Sequence, residues 1–317
     1  AMEHLFMATF EISAHDGSPI FARYWATKGK PRAILQIAHG MAEHSGRYER
    51  FANFLNAHGI AVYAHDHRGH GASARNESEL GYYSDHDGWR KVTDDVLAVT
   101  HHIRGKHSAP PLFLLGHSMG SFIAQQYAID YGHEIDGLIL SASHGKTSIK
   151  AKIGVQVVRA EIARKGLHFR SPATKAMSFG SFNKQFKPNR TESDWLSRDA
   201  AEVDKYLNDP LCGFLCQTGL WRDLLQGLHQ IHRPELQLRV PRELPILLFT
   251  GSEDPVSEGA KGIEKLRDEY QHAGVRNVET RVYAGGRHEM LNETNRDEVM
   301  QDCLNWLNAV TDKATRV

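Results

Sequence analysis

The chain alternates short apolar runs with longer segments in which apolar residues recur every three or four positions. Short apolar runs bounded by turn residues predict buried strands, and the longer periodic segments predict helices that cover them. Strands separated by helices indicate an α/β protein with a mostly parallel central sheet flanked by helices. Eight strands are predicted: "FMATFEIS", "IFARYWA", "AILQIAH", "IAVYAHD", "LFLLGH", "GLILSAS", "ILLFTG" and "VETRVYAG".

Helical periodicity is clear in five segments, and a glycine follows three of them closely. We predict helix ends at Gly59, Gly105 and Gly132, because glycine is common just beyond the last helical turn. The five segments are "RYERFANFLNAHG", "GWRKVTDDVLAVTHHIRG", "MGSFIAQQYAIDYG", "SEGAKGIEKLRDEYQHAG" and "RDEVMQDCLNWLNAV".

The alternation breaks between Ser143 and Arg233, where helix and loop patterns appear without a convincing strand. We therefore predict a core made of residues 1–143 and 234–317, and a mainly helical insertion, residues 144–233, which we call the lid segment. Ligands of open α/β sheets bind outside the carboxyl ends of the strands. An insertion that follows a core strand should lie over that edge.

Composition sets limits on the function. Hydrophobic residues make up 41% of the 317 and charged residues 24%, as in globular proteins. Lys plus Arg and Asp plus Glu both number 38, so charge gives no sign of a nucleic-acid partner. "MEHLFMATFEIS" lacks the basic start and apolar centre of a secretory signal, and no apolar run approaches a membrane span. These features predict a cytoplasmic protein.

Three cysteines suit a reducing compartment, and two of them are spaced four apart. Cys212 and Cys216 could suggest a zinc site, but no second ligand pair follows at the usual spacing. Two small core residues are the better interpretation. The alternating histidines of "HDHRGHG", His65, His67 and His70, are a second metal alternative. We favour instead a loop near the pocket organised by its Asp, Arg and Gly.

A serine between two glycines supplies the strongest chemical signal. In "PLFLLGHSMGSFIAQQYA" an apolar strand turns into a helical pattern at Ser118, with Gly116 and Gly120 on either side. This G-x-S-x-G turn is typical of a nucleophile elbow, in which small residues permit a sharp bend that exposes the serine hydroxyl. A helix-cap serine is the alternative, but it would leave the two glycines unexplained.

A serine nucleophile needs a base and an acid that orients the base. Asp254 follows the strand "ILLFTG" and His288 follows the last strand, in the order Ser, Asp, His that this elbow usually has. Glu253 competes with Asp254, and we expect it to face solvent. Two backbone N–H groups should form the oxyanion hole: that of Met119, and that of Met41 after the strand "AILQIAH".

Five motifs together resemble one branch of a known family. "HGMAEHSGRY", "HDHRGHGAS", "GHSMGS", "GSEDPV" and "GGRHEMLNE" are similar to the monoacylglycerol lipase and lysophospholipase branch of the α/β-hydrolases, which is often labelled serine aminopeptidase-like. The similarity covers almost the whole chain and extends to "WLSRDAAEVDKYLNDPLCGF", as in bacterial members. The resemblance implies an α/β-hydrolase fold with a helical lid, the triad Ser118, Asp254 and His288, and oxyanion donors at Met41 and Met119.

The same resemblance implies a polar pocket for the alcohol end of the substrate. Its Glu and Arg match Glu43 and Arg47, for which a surface ion pair is the alternative. Mammalian monoacylglycerol lipase has a second histidine three residues after the catalytic one, where this chain has Leu291.

Charge in the lid segment is unevenly distributed. From Lys146 to Arg190 there are eleven Lys or Arg and one acid, Glu161, whereas from 191 to 209 six acids face two basic residues. In the basic half Ile149, Ile153, Val157 and Ile162 lie near helical spacing. Such a helix could rest on an anionic membrane surface or pack its apolar side on the core.

We therefore hypothesise a serine carboxylester hydrolase that acts on single-chain lipid esters, either monoacylglycerols or lysophospholipids, through an acyl-enzyme and without a metal or cofactor. Peripheral contact with the inner membrane surface would occur through the basic half of the lid segment. An aminopeptidase of the same family is one alternative, although it needs an acidic site for a substrate amine. A catalytically silent binding protein on the same fold is the other.

Overall fold

A computed structural model of the protein describes residues 7–147 and 149–314, with the backbone alone for residues 149 and 150. All eight predicted strands are present, and the first of them begins at Met7, since Phe6 lies outside the described residues. The strands are β1 (Met7–Ser13), β2 (Pro19–Trp25), β3 (Ala33–Ala38), β4 (Ile60–His65), β5 (Leu112–His117), β6 (Gly137–Ser141), β7 (Ile246–Gly251) and β8 (Val278–Tyr283).

The strands form one sheet in the order β1-β2-β4-β3-β5-β6-β7-β8. β1 pairs antiparallel with β2, and β2 with β4, whereas every other neighbouring pair is parallel. The register aligns the carboxyl ends of the central strands, with His117 of β5 opposite Ser141 of β6. Loops that follow β3, β5, β7 and β8 therefore leave the same edge of the sheet.

The described helices cover both faces of the sheet and form the insertion. Gly59, with φ +77°, follows α1 as predicted, but the prediction for Gly105 is wrong because α2 continues through this exposed position to Lys106. The helices are α1 (Glu49–Asn56), α2 (Gly88–Lys106), α3 (Met119–Tyr131), α4 (Ile149–Lys165), α5 (Pro172–Lys175), α6 (Ala200–Asn208), α7 (Thr218–Ile231), α8 (Pro234–Gln237), α9 (Ala260–His272) and α10 (Arg296–Ala314).

Apolar side chains pack on both sides of the sheet. β3, β4, β5 and β7 are buried at every position, which explains why their sequences are nearly continuous apolar runs rather than alternating ones. One cluster packs beneath α2, α3, α7 and α9, and a second beneath α1 and α10. The sheet is thus a rigid platform for the loops at its carboxyl edge.

Between β6 and β7 the described residues form helices and turns, with one isolated bridge between Arg170 and Gln217. The apolar residues near helical spacing on α4 do not share one environment. Ile153 is 54% exposed, Val157 and Ile162 are half-buried, and Val158, which lies outside that set, is 3% exposed. The side chain of Ile149 lies outside the described residues. Among the described helices, none combines the length and apolarity that a membrane span requires.

Candidate active site

Ser118 occupies a strained turn between β5 and α3. Its φ of +52° and ψ of −121° lie outside the regions that most residues adopt. The Ser118 N–H donates to the carbonyl of Ser141 on β6 (2.9 Å), and its own carbonyl accepts the N–H of Ser121 (2.8 Å). The neighbouring strand and the first helical turn therefore hold the strained residue in place.

Close backbone contacts explain the two flanking glycines. A Cβ on Gly116 would lie 2.4 Å from the carbonyl oxygen of Gly120. A Cβ on Gly120 would lie 2.2 Å from the carbonyl oxygen of Ala38 and 2.3 Å from that of His39. Only residues without side chains allow α3 to approach β3 and β5 this closely.

His288 and Asp254 meet in the loops that follow β8 and β7. The Nδ1 atom of His288 lies 2.8 Å from Oδ1 of Asp254, and both side chains are at most 4% exposed. The other carboxylate oxygen accepts the hydroxyls of Thr250 (2.7 Å) and Ser257 (2.6 Å). The competing acid, Glu253, is exposed, as the sequence predicted.

The environment of Asp254 favours its ionised form. Burial by itself would raise the pKa of this carboxyl group, but the charge of His288 and hydrogen bonds from His288, Ser257 and Thr250 hold the pKa well below its usual value. The carboxylate can therefore accept a hydrogen bond from the Nδ1–H group of His288. In this tautomer the Nε2 atom carries no hydrogen and can act as a base.

His117 connects the serine turn to the histidine loop. It directly precedes Ser118, its Nδ1 atom lies 2.9 Å from the hydroxyl of Ser141, and its ring centroid is 4.9 Å from that of His288. Burial lowers the pKa of His117 to about 3, with the charge of His288 as the next contribution. The His117 ring between the serine turn and the histidine loop is therefore neutral.

The two residues predicted to supply the oxyanion hole, Met41 and Met119, line the same cavity as the serine. Met119 is the first residue of α3, where backbone N–H groups have no partner within the helix. Met41 follows β3 and, like Met119 and Ser118, lines the large cavity described next. After it, Ala42 has a φ of +54° and its carbonyl accepts the N–H of Gly213 from the lid segment (2.9 Å).

A cavity of about 850 Å³ lies between the carboxyl edge of the sheet and the lid segment. Ser118 and Asp254 lie on its core side. Its lid side carries large apolar residues: Val158, Met177, Phe179, Phe182, Trp195, Trp221, Leu224, Leu225 and Leu228. The arrangement can accommodate a long apolar group next to a serine hydroxyl.

Comparison with known proteins identifies the family. The family model described as serine aminopeptidase, S33, matches residues 29–295, which include the serine turn and both partner loops. The chain belongs to this family. The resemblance seen in the motifs of the sequence is thereby confirmed.

Several relatives of this hydrolase are named as lipases or esterases. Monoglyceride lipase of Mus musculus is 32% identical over 93% of this chain and 87% of its own. Monoacylglycerol lipase of Mycolicibacterium smegmatis is 29% identical over 89% of this chain and 90% of its own. A carboxyl esterase of Bacillus coagulans, solved with glycerol, superposes with a TM-score of 0.88, at 28% identity over 96% of this chain and 99% of its own. The protein has the α/β-hydrolase fold and is a carboxylic ester hydrolase.

Glu43 and Arg47 lie behind the histidine loop of this hydrolase. Their side chains are 4% and 11% exposed, so the alternative of a surface ion pair is wrong. The guanidinium of Arg47 contacts the carboxylate of Glu289, the residue after His288. Contact of the pair with the alcohol end of a substrate stays a prediction.

The histidines of "HDHRGHG" are buried at the end of β4 and in the loop that follows it. Burial lowers the pKa of His65 and of His70 to about 4, which keeps both neutral. Asp66 accepts the N–H groups of Ser45 and Ala72 (both 2.8 Å). The loop is organised as predicted, with Arg68 held by Asp95 through two hydrogen bonds of 2.7 and 2.8 Å.

Metal-ligating atoms converge elsewhere in the described residues. One group is His44, Asp209 and Cys212, in which His44 Nε2 already lies 2.6 Å from Asp209. The other is Glu43, His117 and Glu289, where the guanidinium of Arg47 supplies the positive charge. Cys216 is a buried core residue as predicted, whereas Cys212 packs against a small cluster in the lid segment.

Sequence reasoning missed two supporting acids in the histidine loop. Glu289 engages Arg47, and Glu293 is 0% exposed and accepts the N–H groups of Arg287 (2.9 Å) and Arg198 (3.2 Å). Both belong to "RHEMLNE", where two acids lie among apolar residues. The position of these two acids among apolar residues was the sequence signal that could have indicated their burial.

Proposed function

We propose that this enzyme hydrolyses esters of single-chain lipids, monoacylglycerols or lysophospholipids, through an acyl-enzyme formed on Ser118. His288 accepts the proton of the serine hydroxyl as the oxygen attacks the ester carbonyl, and Asp254 stabilises the resulting imidazolium. The N–H groups of Met41 and Met119 bind the oxyanion. His288 then protonates the departing alcohol, and water releases the fatty acid by the same route.

The lid side of the cavity carries this proposal. In a space of about 850 Å³ that Ser118 lines, the lid segment contributes large aromatic and aliphatic side chains, which suit an acyl chain, and we assign this segment the role of a lid. The names of the relatives, monoglyceride and monoacylglycerol lipase, agree with such a substrate.

A matched acyl series tests the proposal. Initial rates would be compared for a monoacylglycerol, lysophosphatidylcholine, lysophosphatidylglycerol, a p-nitrophenyl ester and an amino-acid anilide, with wild type and Ser118→Ala. We expect the lipid esters to be cleaved and the variant to lose about 10⁶ in turnover. A variant that keeps a tenth of the activity would refute Ser118 as the nucleophile.

Two arms of the series address the alternative functions. Cleavage of the anilide alone would replace the lipid ester proposal with aminopeptidase activity. A fluorophosphonate probe should label wild type at Ser118 and leave Ser118→Ala unlabelled, because only an activated serine reacts. Absence of labelling together with lipid binding would favour a catalytically silent binding protein.

We also propose that the lid segment rests on an anionic lipid surface. Ile153 on α4 and Met177 are 54% and 43% exposed in the basic half of this segment. Ile153→Asp should reduce cosedimentation with phosphatidylglycerol vesicles. Leu238→Asp is the matched control, since Leu238 is 60% exposed but lies outside the lid segment. Equal loss in both variants, or equal binding to phosphatidylcholine vesicles, would contradict the proposal.

A further inference from the structure

Three charged side chains are buried between the loop that carries Met41 and the loop that carries His288. The side chains of Glu43, Arg47 and Glu289 are 4%, 11% and 7% exposed. None of them has a part in the proposed chemistry. Burying charges costs free energy unless the charges are paired and hydrogen-bonded, so their contacts indicate what they do.

The guanidinium of Arg47 binds both acids. Its Nη1 and Nη2 atoms donate to the two carboxylate oxygens of Glu289 at 2.6 and 2.9 Å, which is a bidentate pair. Nη1 also donates to Glu43 at 3.3 Å, and the group lies 5.0 Å from the ring centroid of Tyr206. The geometry is that of a fixed fork rather than of a mobile surface pair.

Each acid is attached to a different half of the site. Glu43 accepts the N–H of Gly40 at 3.0 Å, and Gly40 directly precedes the oxyanion donor Met41. Glu289 directly follows His288, and its own N–H donates to the carbonyl of Leu196 in the lid segment (2.8 Å). These contacts therefore form a continuous chain from the loop that carries Met41, which we call the oxyanion loop, to the histidine loop, which carries His288.

Electrostatics favour a charged pair. Burial alone would raise the pKa of Glu289, but the charge and hydrogen bonds of Arg47 lower it to about 2. Burial raises the pKa of Glu43, against the influence of Arg47. Replacement of either member of the Arg47–Glu289 pair would leave its partner charged and buried.

We propose that Arg47 and Glu289, linked to the oxyanion loop through Glu43, are positioning residues that fix His288 relative to Met41. The inference rests on the proposed roles of His288 and Met41 in ester hydrolysis. The donors of the Arg47 guanidinium are directed to two carboxylates of the enzyme. We therefore assign this group a role within the enzyme and not in binding the alcohol part of a substrate.

The two possible roles of Arg47 differ in their kinetic consequence. A positioning residue acts on every ester alike and lowers kcat, since a displacement of about 1 Å can cost 10²-fold in rate. A residue that binds the alcohol part matters only for substrates with a glycerol group, and its loss raises KM for those substrates.

The experiment uses a p-nitrophenyl ester and a glycerol monoester of the same acyl chain. The variants are Arg47→Gln, Glu289→Gln, their combination and Arg47→Lys. The matched control is Arg50→Gln, because Arg50 pairs with Glu202 of the lid segment, and within the described residues no ion pair joins it to Glu43 or Glu289. Thermal unfolding of each variant is measured alongside.

We expect each Gln variant to lower kcat by about 10- to 100-fold on both esters, with KM changed by less than about threefold. The double variant should be no slower than the slower single one, because the two residues act as a unit. Arg47→Lys should recover part of the loss, since it keeps the charge without the fork. Arg50→Gln should match wild type.

Three results would overturn the inference: a loss confined to the glycerol ester, a loss expressed in KM, or additive effects of the single variants. If Arg47→Gln does not fold, Arg47→Lys with Glu289→Gln decides on the same criteria. Failure of the proposed function can be told apart from failure of this inference. It would show in the rates of wild type and Ser118→Ala on these substrates, before any variant of the pair is compared.

Discussion

The carboxyl edge of the sheet and the lid segment contribute to the same cavity but are built differently. At the edge, Ser118 is held by a hydrogen bond to β6, Asp254 by Thr250 of β7, and His288 by Asp254, and the last two are almost fully buried. The lid segment presents apolar side chains inward and many basic ones outward, with Ile153 more than half exposed.

Many polar contacts attach the lid segment to the rest of the protein, and three of them lie at its ends and in its middle. At its two ends, Glu269 of α9 accepts the N–H of Lys146 (2.6 Å) and contacts His232 (3.2 Å). In its middle, the carbonyl of Trp195 accepts the N–H of His288 (3.3 Å), and the Trp195 ring lies 4.8 Å from the His288 ring. The comparison indicates that the edge holds the three predicted catalytic residues, while the lid segment supplies apolar side chains to the cavity and also contacts the histidine loop.

After the loss expected for Ser118→Ala, the largest expected effect is also on the edge. Asp254→Asn should lower kcat by about 10⁴, because the histidine loses the acceptor that orients it and stabilises its charged form. Acyl-chain preference, which we assign to the lid segment, should be unchanged. Glu253→Gln is the comparison variant, since Glu253 is the exposed neighbour. An equal loss in both variants, measured by steady-state kinetics, would contradict the assignment of the acid.

A backbone clash should destabilise the edge. Gly120→Ala would place a Cβ 2.2 Å from the carbonyl oxygen of Ala38, so β3 and α3 must separate. We expect the free energy of unfolding to fall by about 3 kcal/mol or more, as measured by urea denaturation. An unchanged denaturation midpoint would mean that the elbow is less rigid than its contacts imply.

Loosening of the lid segment should be a smaller and local effect. Glu269→Gln weakens charge-assisted hydrogen bonds at both of its ends, and we expect opening near Lys146 and His232 to become easier by about 1.5–3 kcal/mol. Hydrogen exchange would measure this change. Glu264→Gln, on the exposed side of the same helix, is the control. Equal protection in both variants would refute Glu269 as the attachment point.

The attachment of the lid segment through Glu269 should weaken as the pH falls. Burial opposes ionisation of Glu269, but hydrogen bonds from His232, the Lys146 N–H and Gln237 hold its pKa below the usual 4.5. Its stabilisation is therefore complete above pH 4.5 and lost as the pH falls below that value. Exchange at the ends of the lid segment should rise on acidification in wild type, and much less in Glu269→Gln.

The smallest expected effect has the opposite sign. Gly154→Ala in α4 meets only Leu225, at 4.0 Å, so the new methyl group fits. Alanine in a helix interior should stabilise the lid segment by about 0.5–1 kcal/mol. Thermal unfolding would measure it against Gly120→Ala. Destabilisation by both substitutions would remove the contrast between the two regions.

Local patterns were sufficient for much of the fold and for the predicted positions of the site residues. Continuous apolar runs identified the strands because both faces of the sheet are buried. Gly116, Ser118 and Gly120 identified the turn because steric limits on the backbone act over a few residues. The orientation of α4 stayed open between a membrane surface and the core, because a helix with many apolar residues can face its neighbours in several ways, and the structure buries Val158 and leaves Ile153 exposed.

The sequence by itself determined the order of strands and helices, the strained serine turn, and the placement of an acid and a histidine after successive strands. Tertiary structure alone decided that Arg47 binds Glu289, 242 residues away, and that Glu269 secures both ends of the lid segment. The physical reason is range: backbone conformation depends on neighbouring residues, whereas the partner of a buried charge depends on which loops the completed sheet brings together.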